Sequence, residues 1–106
     1  MPYSLIFAPE AEEQLIGLYH HLADLASPEI ALEYTNAVIV HCEGMKTFPH
    51  RGNKRDDIRP GLRITHYKKR TIIAFAVFDE IISILGIYHG GQNYEAILTE
   101  SNDDTQ

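Results

Sequence analysis

The sequence predicts a single α+β domain of order β-α-α-β-β-β, in which a strand and a helical hairpin precede a mainly antiparallel sheet. Apolar residues recur at spacings of three and four between residues 9 and 47, which is the period of a helix. Between residues 62 and 89 the chain instead carries β-branched and aromatic runs, which are typical of strands. At 106 residues the chain is close to the commonest domain size, so one domain is expected.

The chain begins with a predicted strand at residues 3–7, and a helix should follow from Pro9. Proline is favoured at the first helical position, and the acids behind it suit the positive end of the helix dipole. One face of this helix is apolar and is formed by Ala11, Leu15, Leu18, Leu22 and Leu25.

A second helix should begin at Pro28, because Ser27 is a favourable N-cap and proline a favourable first residue. It is expected to end near Thr47, since Gly44 weakens its last turn. The link between the two helices is short, so they should fold back on each other as an antiparallel hairpin. The apolar face of this helix is formed by Ala31, Tyr34, Val38, Cys42 and Met45.

A loop and three strands are predicted next. Residues 48–57 are polar and include Pro, Gly and Asn, so they should form the loop. The last two strands are separated only by Asp79 and Glu80, a link short enough to require a hairpin. The three strands are expected at residues 62–67, 70–78 and 81–89.

The C-terminal segment is predicted less sharply than the rest. Residues 94–98 should form either a short helix or a returning extended piece. The acidic tail, residues 99–106, is expected to be disordered, so the folded domain should span residues 1–98.

The predicted sheet is apolar on both faces. Residues 72–78 carry only apolar side chains, whereas an antiparallel strand with one face in water should alternate apolar and polar residues. Two helices can cover only one face. Either the sheet curls over its own second face, or a partner covers it.

Charge is segregated along the chain. All nine Lys and Arg residues lie between Lys46 and Arg70, in a segment with only two acids, Asp56 and Asp57. The rest of the chain carries the other thirteen of the fifteen acids. Such a basic segment would steer an acidic partner toward the surface, although it could also pair with the acidic helices of the same chain.

Several classes of protein do not fit the sequence. No apolar stretch approaches the length of a membrane helix, and the N-terminus lacks the basic start of a signal peptide. Cys42 is the only cysteine and is expected to be a buried thiol in a reducing cytoplasm. No His or Cys spacing fits a metal site, and no glycine-rich phosphate loop is present. We therefore predict a cytoplasmic protein with no metal and no cofactor.

Four segments in this order resemble the ParE/RelE toxin superfamily of type II toxin–antitoxin systems, and its ParE-like plasmid-stabilisation branch in particular. They are residues 7–15 (FAPEAEEQL), 48–52 (FPHRG), 59–63 (RPGLR) and 81–90 (IISILGIYHG). The resemblance implies a curved sheet and a cognate ParD-like antitoxin that neutralises the toxin. It implies DNA gyrase as the target, with ribosome-dependent mRNA cleavage of the RelE type, or a non-toxic antitoxin-binding remnant, as the alternatives.

The resemblance also carries candidate site residues. An inhibitor that acts by binding is expected rather than an enzyme, because residues 71–78 contain no ionisable side chain. Direct nucleic acid binding is not expected, since no helix carries the basic charge. A metal-independent endoribonuclease would use Arg63, Tyr67, Lys68 and His89. The predicted partner-binding residues are Arg51, Lys54, Arg55, Arg59, Arg63, Tyr67, Tyr88 and His89. The partner should lie across the second face of the sheet and the open edge of the strand hairpin.

Overall fold

The computed structural model describes residues 3–90 and 92–104, with side chains described as far as Thr99. The predicted order of elements is confirmed, with one short strand added inside the predicted loop and a longer helix at the C-terminal end. The elements are β1 (Ser4–Phe7), α1 (Pro9–Leu25), α2 (Pro28–Glu43), β2 (Asn53–Lys54), β3 (Leu62–Tyr67), β4 (Thr71–Phe78), β5 (Ile81–His89) and α3 (Tyr94–Asp104). A single 3₁₀ turn, Gly44–Lys46, follows α2.

The five strands form one sheet in the order β1-β5-β4-β3-β2. β1 runs parallel to β5, and the other neighbours are antiparallel. The register of β4 and β5 shifts at one point, where Ala74 pairs with Gly86 and Phe75 pairs with Ile84. Leu85 is therefore the extra residue of a β-bulge, and the bulge moves the alternation of inward-facing side chains by one residue along β5.

The helical hairpin covers the first face of the sheet. The Ser27 side chain caps α2 by accepting a hydrogen bond from the Ile30 N–H at 3.2 Å, as the sequence predicts. Gln14 of α1 also contacts the sheet, because its side-chain oxygen accepts a hydrogen bond of 2.7 Å from the Ile87 N–H next to the bulge. The core on this face consists of Ala11, Leu18, Val38, Cys42, Met45, Ile73, Phe75, Ile82, Ile84 and Ile87.

The second face of the sheet is covered in part by α3, and the opposite end of this face leaves Ile6, Phe78 and Ile81 exposed. Leu98 is only 3% exposed, and Tyr94 and Ile97 pack beside it. The covering element is thus a helix of the same chain, which neither of the two sequence alternatives named. The buried residues on this face are Leu62, Ile64, Ala74, Tyr88 and Leu98.

The helix α3 also bears on the predicted tail. It runs to Asp104, so residues 99–104 are helical where the sequence predicted disorder, and residues 105 and 106 lie outside the described residues. The boundary of the folded domain at residue 98 stays a prediction. Among the helices that the structure describes, none is long and apolar enough to cross a membrane.

Candidate functional site

The basic loop between α2 and β3 is fixed to the sheet by Arg63. The guanidinium of Arg63 donates a hydrogen bond of 3.1 Å from Nε to the Arg51 carbonyl and another from Nη2 to the His50 carbonyl. Gly52 allows the close approach, since it has a φ of +78° and a Cβ there would overlap the Ile64 carbonyl oxygen. Within this loop Lys54 pairs with Arg63 as part of β2. Arg63 is therefore a residue that orders the loop.

Arg55 connects the same loop to α3. Its guanidinium makes two hydrogen bonds to the Asp57 carboxylate, at 3.0 and 2.8 Å, and an ion pair with Glu95. It also donates to the Tyr94 hydroxyl at 3.1 Å. The hydrogen bonds from Arg55 lower the pKa of Asp57 below its usual range. The charge of Arg55 is thus used within the chain.

Arg59 makes a second connection from the loop to α3. Its Nη2 donates to the Leu98 carbonyl at 3.3 Å. Its Nε is buried and has no hydrogen-bond partner among the described residues. Since Arg55 and Arg59 both reach α3, the basic loop and the cover of the second face form one connected unit.

Tyr88 and His89 are neighbours in sequence but lie on opposite faces of the sheet. Tyr88 is 2% exposed beneath α3, and burial raises the pKa of its hydroxyl. His89 stacks on His21 of α1, with ring centroids 4.6 Å apart. Tyr88 cannot reach a partner while α3 is in place, and the two residues do not form one surface.

Tyr67 packs against α2 at the end of β3. Its ring meets Tyr34 edge to face at 5.5 Å and lies 5.1 Å from His41. Burial, and secondarily the charge of Arg51, lowers the pKa of His41. The ammonium of Lys68 lies 5.8 Å from the centre of the Tyr67 ring. Tyr67 is therefore partly buried.

The four residues that a ribonuclease would use lie on β3, on the turn after it and at the end of β5. Arg63 and Tyr67 are four residues apart on one extended strand, which separates their Cα atoms by about 13 Å. Tyr67 pairs with Thr71, and Thr71 pairs with His89, so Tyr67 and His89 are two strands apart, or about 10 Å. A general acid and base must both lie within hydrogen-bond reach of the reacting atoms. These spacings describe the backbone, and the role of the four residues in a ribonuclease stays a prediction.

Part of the basic segment remains free to meet a partner. The ion pairs among the described residues use Lys46 and Arg55 only. Lys54 is exposed and borders a shallow cleft of about 230 Å³, whose lining includes His50 and Arg63. The turn between β3 and β4 adds three exposed cations. They are Lys68, Lys69 and Arg70.

The structure shows contacts that the sequence did not suggest. Glu95 is forty residues from Arg55, and His21 is far from His89, so no local pattern links either pair. One signal was present, however. Tyr94, Ile97 and Leu98 are spaced as one face of a helix, which would have predicted a cover for the second sheet face.

Cys42 and the histidines do not form a reactive or metal-binding site. Cys42 is fully buried, as predicted, and burial raises the pKa of its thiol to about 12. Its thiol is therefore protonated and unreactive at neutral pH. Among the side chains that the structure describes, no three from His, Cys, Asp or Glu could together bind a metal ion.

Solved structures of toxin–antitoxin systems are similar to this fold. A chain of the chromosomal ParDE system from P. aeruginosa matches with a TM-score of 0.72 and 25% sequence identity, over 82% of this chain and 95% of that chain. A chain of the RelBE2 toxin–antitoxin complex from Mycobacterium tuberculosis matches with a TM-score of 0.60 and 18% identity, over 84% of this chain and 99% of that chain. The second likeness is one of fold alone. A search of the curated proteins finds no significant match.

The family comparison agrees with the fold. The protein-family model described as the ParE toxin of the type II toxin–antitoxin system parDE matches residues 5–94, which include the helical hairpin and, apart from Ser4, all five strands. The resemblance noted in the sequence is therefore confirmed. This chain belongs to the ParE toxin family of type II toxin–antitoxin systems.

Proposed function

We propose that this toxin acts in the cytoplasm by binding and inhibiting DNA gyrase, and that a cognate ParD-like antitoxin keeps it silent. Membership of the ParE family supports the proposal. The observation that carries it is the family match over residues 5–94. The backbone separation of Tyr67 from His89 adds support, since a general acid and a general base must both reach the bond that is cleaved.

The free cations would form the docking surface. Lys54 stands beside the shallow cleft, and the cluster Lys68–Arg70 lies at the turn that follows β3. Exposed charges of one sign speed association with an acidic partner more than they tighten the final complex. α3 covers only part of the second sheet face, and Ile6, Phe78 and Ile81 stay exposed on it. A partner would therefore meet exposed apolar residues as well as the cations.

The target is tested by expressing the chain alone in a bacterium and assaying separately for gyrase-dependent DNA damage and for cleaved mRNA. We expect DNA damage with intact transcripts, and a gyrase variant that resists the toxin should restore growth. Cleaved transcripts without DNA damage would instead identify a RelE-like endoribonuclease. Normal growth, with binding of the antitoxin retained, would identify a non-toxic remnant.

The docking surface is tested with Lys54→Glu. We expect slower association with the antitoxin or with gyrase and a weaker dependence of the rate on salt, because an exposed and unpaired cation is reversed. Lys46→Glu is the matched control, since it makes the same charge change where the lysine pairs with Glu43 at the end of α2.

Equal rates for the two variants would rule out the surface around Lys54. Substitution of Arg59 or Arg63 would not test docking cleanly. Arg59 contacts α3 and Arg63 orders the loop, so a change at either residue would also disturb the fold.

A further inference from the structure

A small cleft lies at the end of the helical hairpin where α1 and α2 are linked, away from the basic loop. Its volume is about 150 Å³, which is the volume of about five water molecules in the liquid. Its apolar lining is formed by leucines of α1. Its polar lining includes two histidines, one of them also on α1, and an arginine. The leucines are Leu18, Leu22 and Leu25, and the polar residues are His21, Arg70 and His89.

The polar side of the cleft has cationic groups but no counter-ion. Among the described residues that line it, none is a carboxylate. His21 comes from α1, Arg70 from the turn before β4, and His89 from the end of β5. From α2 the cleft receives only Tyr34, whose hydroxyl is already hydrogen-bonded to Thr71 at 2.7 Å.

The two histidines are close enough to share a ligand. Their rings are stacked, with centroids 4.6 Å apart and planes inclined by 25°. Burial, and secondarily the nearness of His21, lowers the pKa of His89. An anion in the cleft would offset the repulsion between the protonated rings and would receive hydrogen bonds from them.

We propose that this cleft binds a small carboxylate that carries a short apolar tail. The carboxylate lies against His21, Arg70 and His89, and the tail lies on the three leucines. A bare phosphate fits less well, because it leaves the leucine side of the cleft without a contact. The volume limits the part of the ligand that enters the cleft to a handful of non-hydrogen atoms.

The proposal is tested by NMR titration of the histidine rings at about pH 6, where histidine is partly protonated. The probes are butyrate, acetate and inorganic phosphate. We expect saturable shifts at His21 and His89, with butyrate binding at least about threefold more tightly than acetate, since each buried methylene tightens binding by up to about fourfold. His20 is exposed, does not line the cleft and reports the general effect of salt.

Two variants test the arginine. Arg70→Gln should weaken butyrate binding by about two- to fivefold, which is the usual range for an exposed ion pair. Lys69→Gln is the matched control, because it removes the same charge from the neighbouring position and does not line the cleft. Binding should also tighten as the pH falls from about 7.5 to 6, since protonated histidines favour the carboxylate.

Three results would overturn the proposal. They are equal shifts at His20 and His89, equal affinities for butyrate and acetate, and equal effects of the two substitutions. A further probe, N-acetylleucine, distinguishes the source of the ligand. If N-acetylleucine binds as well as butyrate, the proposal is supported with the C-terminus of a peptide chain as the ligand. If butyrate binds and N-acetylleucine does not, the proposal is supported with a free small molecule as the ligand.

Discussion

The two faces of the sheet are covered by elements of different kinds. The first face is covered by α1 and α2, which have 17 and 16 residues and lie between strands of the sheet in the chain. The second face is covered in part by α3, which has 11 residues and follows the last strand. The first cover is therefore connected at both ends to the sheet, whereas the second is connected at one end only.

The two covers also differ in what attaches them. α1 and α2 bury a core of ten residues with the sheet, and Gln14 adds a polar contact beside the bulge. α3 buries Leu98 and relies on two arginines of the basic loop, Arg55 and Arg59. The apolar residues of a strand therefore do not show how stably a helix is attached over them, because polar contacts from other segments contribute to that stability.

The largest effect should come from the first core. Phe75 is fully buried there, and Phe75→Ala should lower the free energy of unfolding by about 3–5 kcal/mol. Leu98→Ala on the second face should cost about 2–3 kcal/mol, since an end-connected helix relaxes more easily around the cavity. Urea unfolding measures both. If Phe75→Ala does not fold, Phe75→Leu gives a smaller loss of about 1 kcal/mol in the same core.

A smaller effect is expected from the glycine beneath α3. A Cβ at Gly86 would overlap the ring of Tyr88, which is packed in the second core. We therefore expect Gly86→Ala to destabilise by about 1–3 kcal/mol. Gly17→Ala is the control: Gly17 lies within α1 with open space around it, so alanine should stabilise by about 0.5–1 kcal/mol. If Gly86→Ala and Gly17→Ala change the free energy of unfolding by the same amount, the core around Tyr88 is loosely packed.

Most of the fold could be predicted from the sequence, because its signals are local. Pro9 and the Ser27 cap mark the starts of two helices, and the β-branched runs mark the strands. The sequence did not predict β2, because this strand has only two residues. It did not predict the bulge at Leu85 either, because a strand that is apolar on both faces shows no alternation of apolar and polar residues that a bulge could interrupt. The end of α2 was placed too late, because Gly44 begins a 3₁₀ turn.

The site was predicted less well, because it depends on contacts between distant residues. The sequence identified Arg55, Arg59 and Arg63 as cations but could not show that each is engaged by the chain itself. The sequence also predicted Tyr88 as a partner-binding residue, because it does not reveal that α3 lies over Tyr88. Lys54 is the predicted residue that stays exposed, and its position in β2 became clear only from the structure.

The attachment of α3 should respond to its arginine anchor. Arg55→Gln removes the ion pair with Glu95, so the amides of α3 should exchange with solvent severalfold faster while those of α1 keep their protection. Hydrogen exchange followed by NMR measures this. Lys54→Gln removes the same charge one residue earlier without touching α3. If the α3 amides exchange equally fast in both variants, the net charge of the loop, rather than the ion pair between Arg55 and Glu95, determines how stably α3 is attached.

The smallest effect separates the two faces by pH. Burial lowers the pKa of His41 and of His89, which both pack on the first face. The unfolded chain therefore takes up these protons at a higher pH than the folded chain, and the free energy of unfolding should fall as the pH drops below the ordinary value of 6.5. His89→Asn and His41→Asn should each flatten this slope in urea unfolding.

The second face should respond at much lower pH. Arg55 lowers the pKa of Asp57 below its ordinary value of 3.8. The stabilisation from this carboxylate is therefore complete above pH 3.8, and it is lost as the pH falls through the lower pKa of the folded state. Amides of α3 should consequently keep their protection relative to the first core between about pH 7 and pH 5. A loss of α3 protection between about pH 7 and pH 5, with the first core unchanged, would contradict the assignment of acid sensitivity to His41 and His89. It would also mean that contacts other than those to the basic loop attach α3 to the sheet.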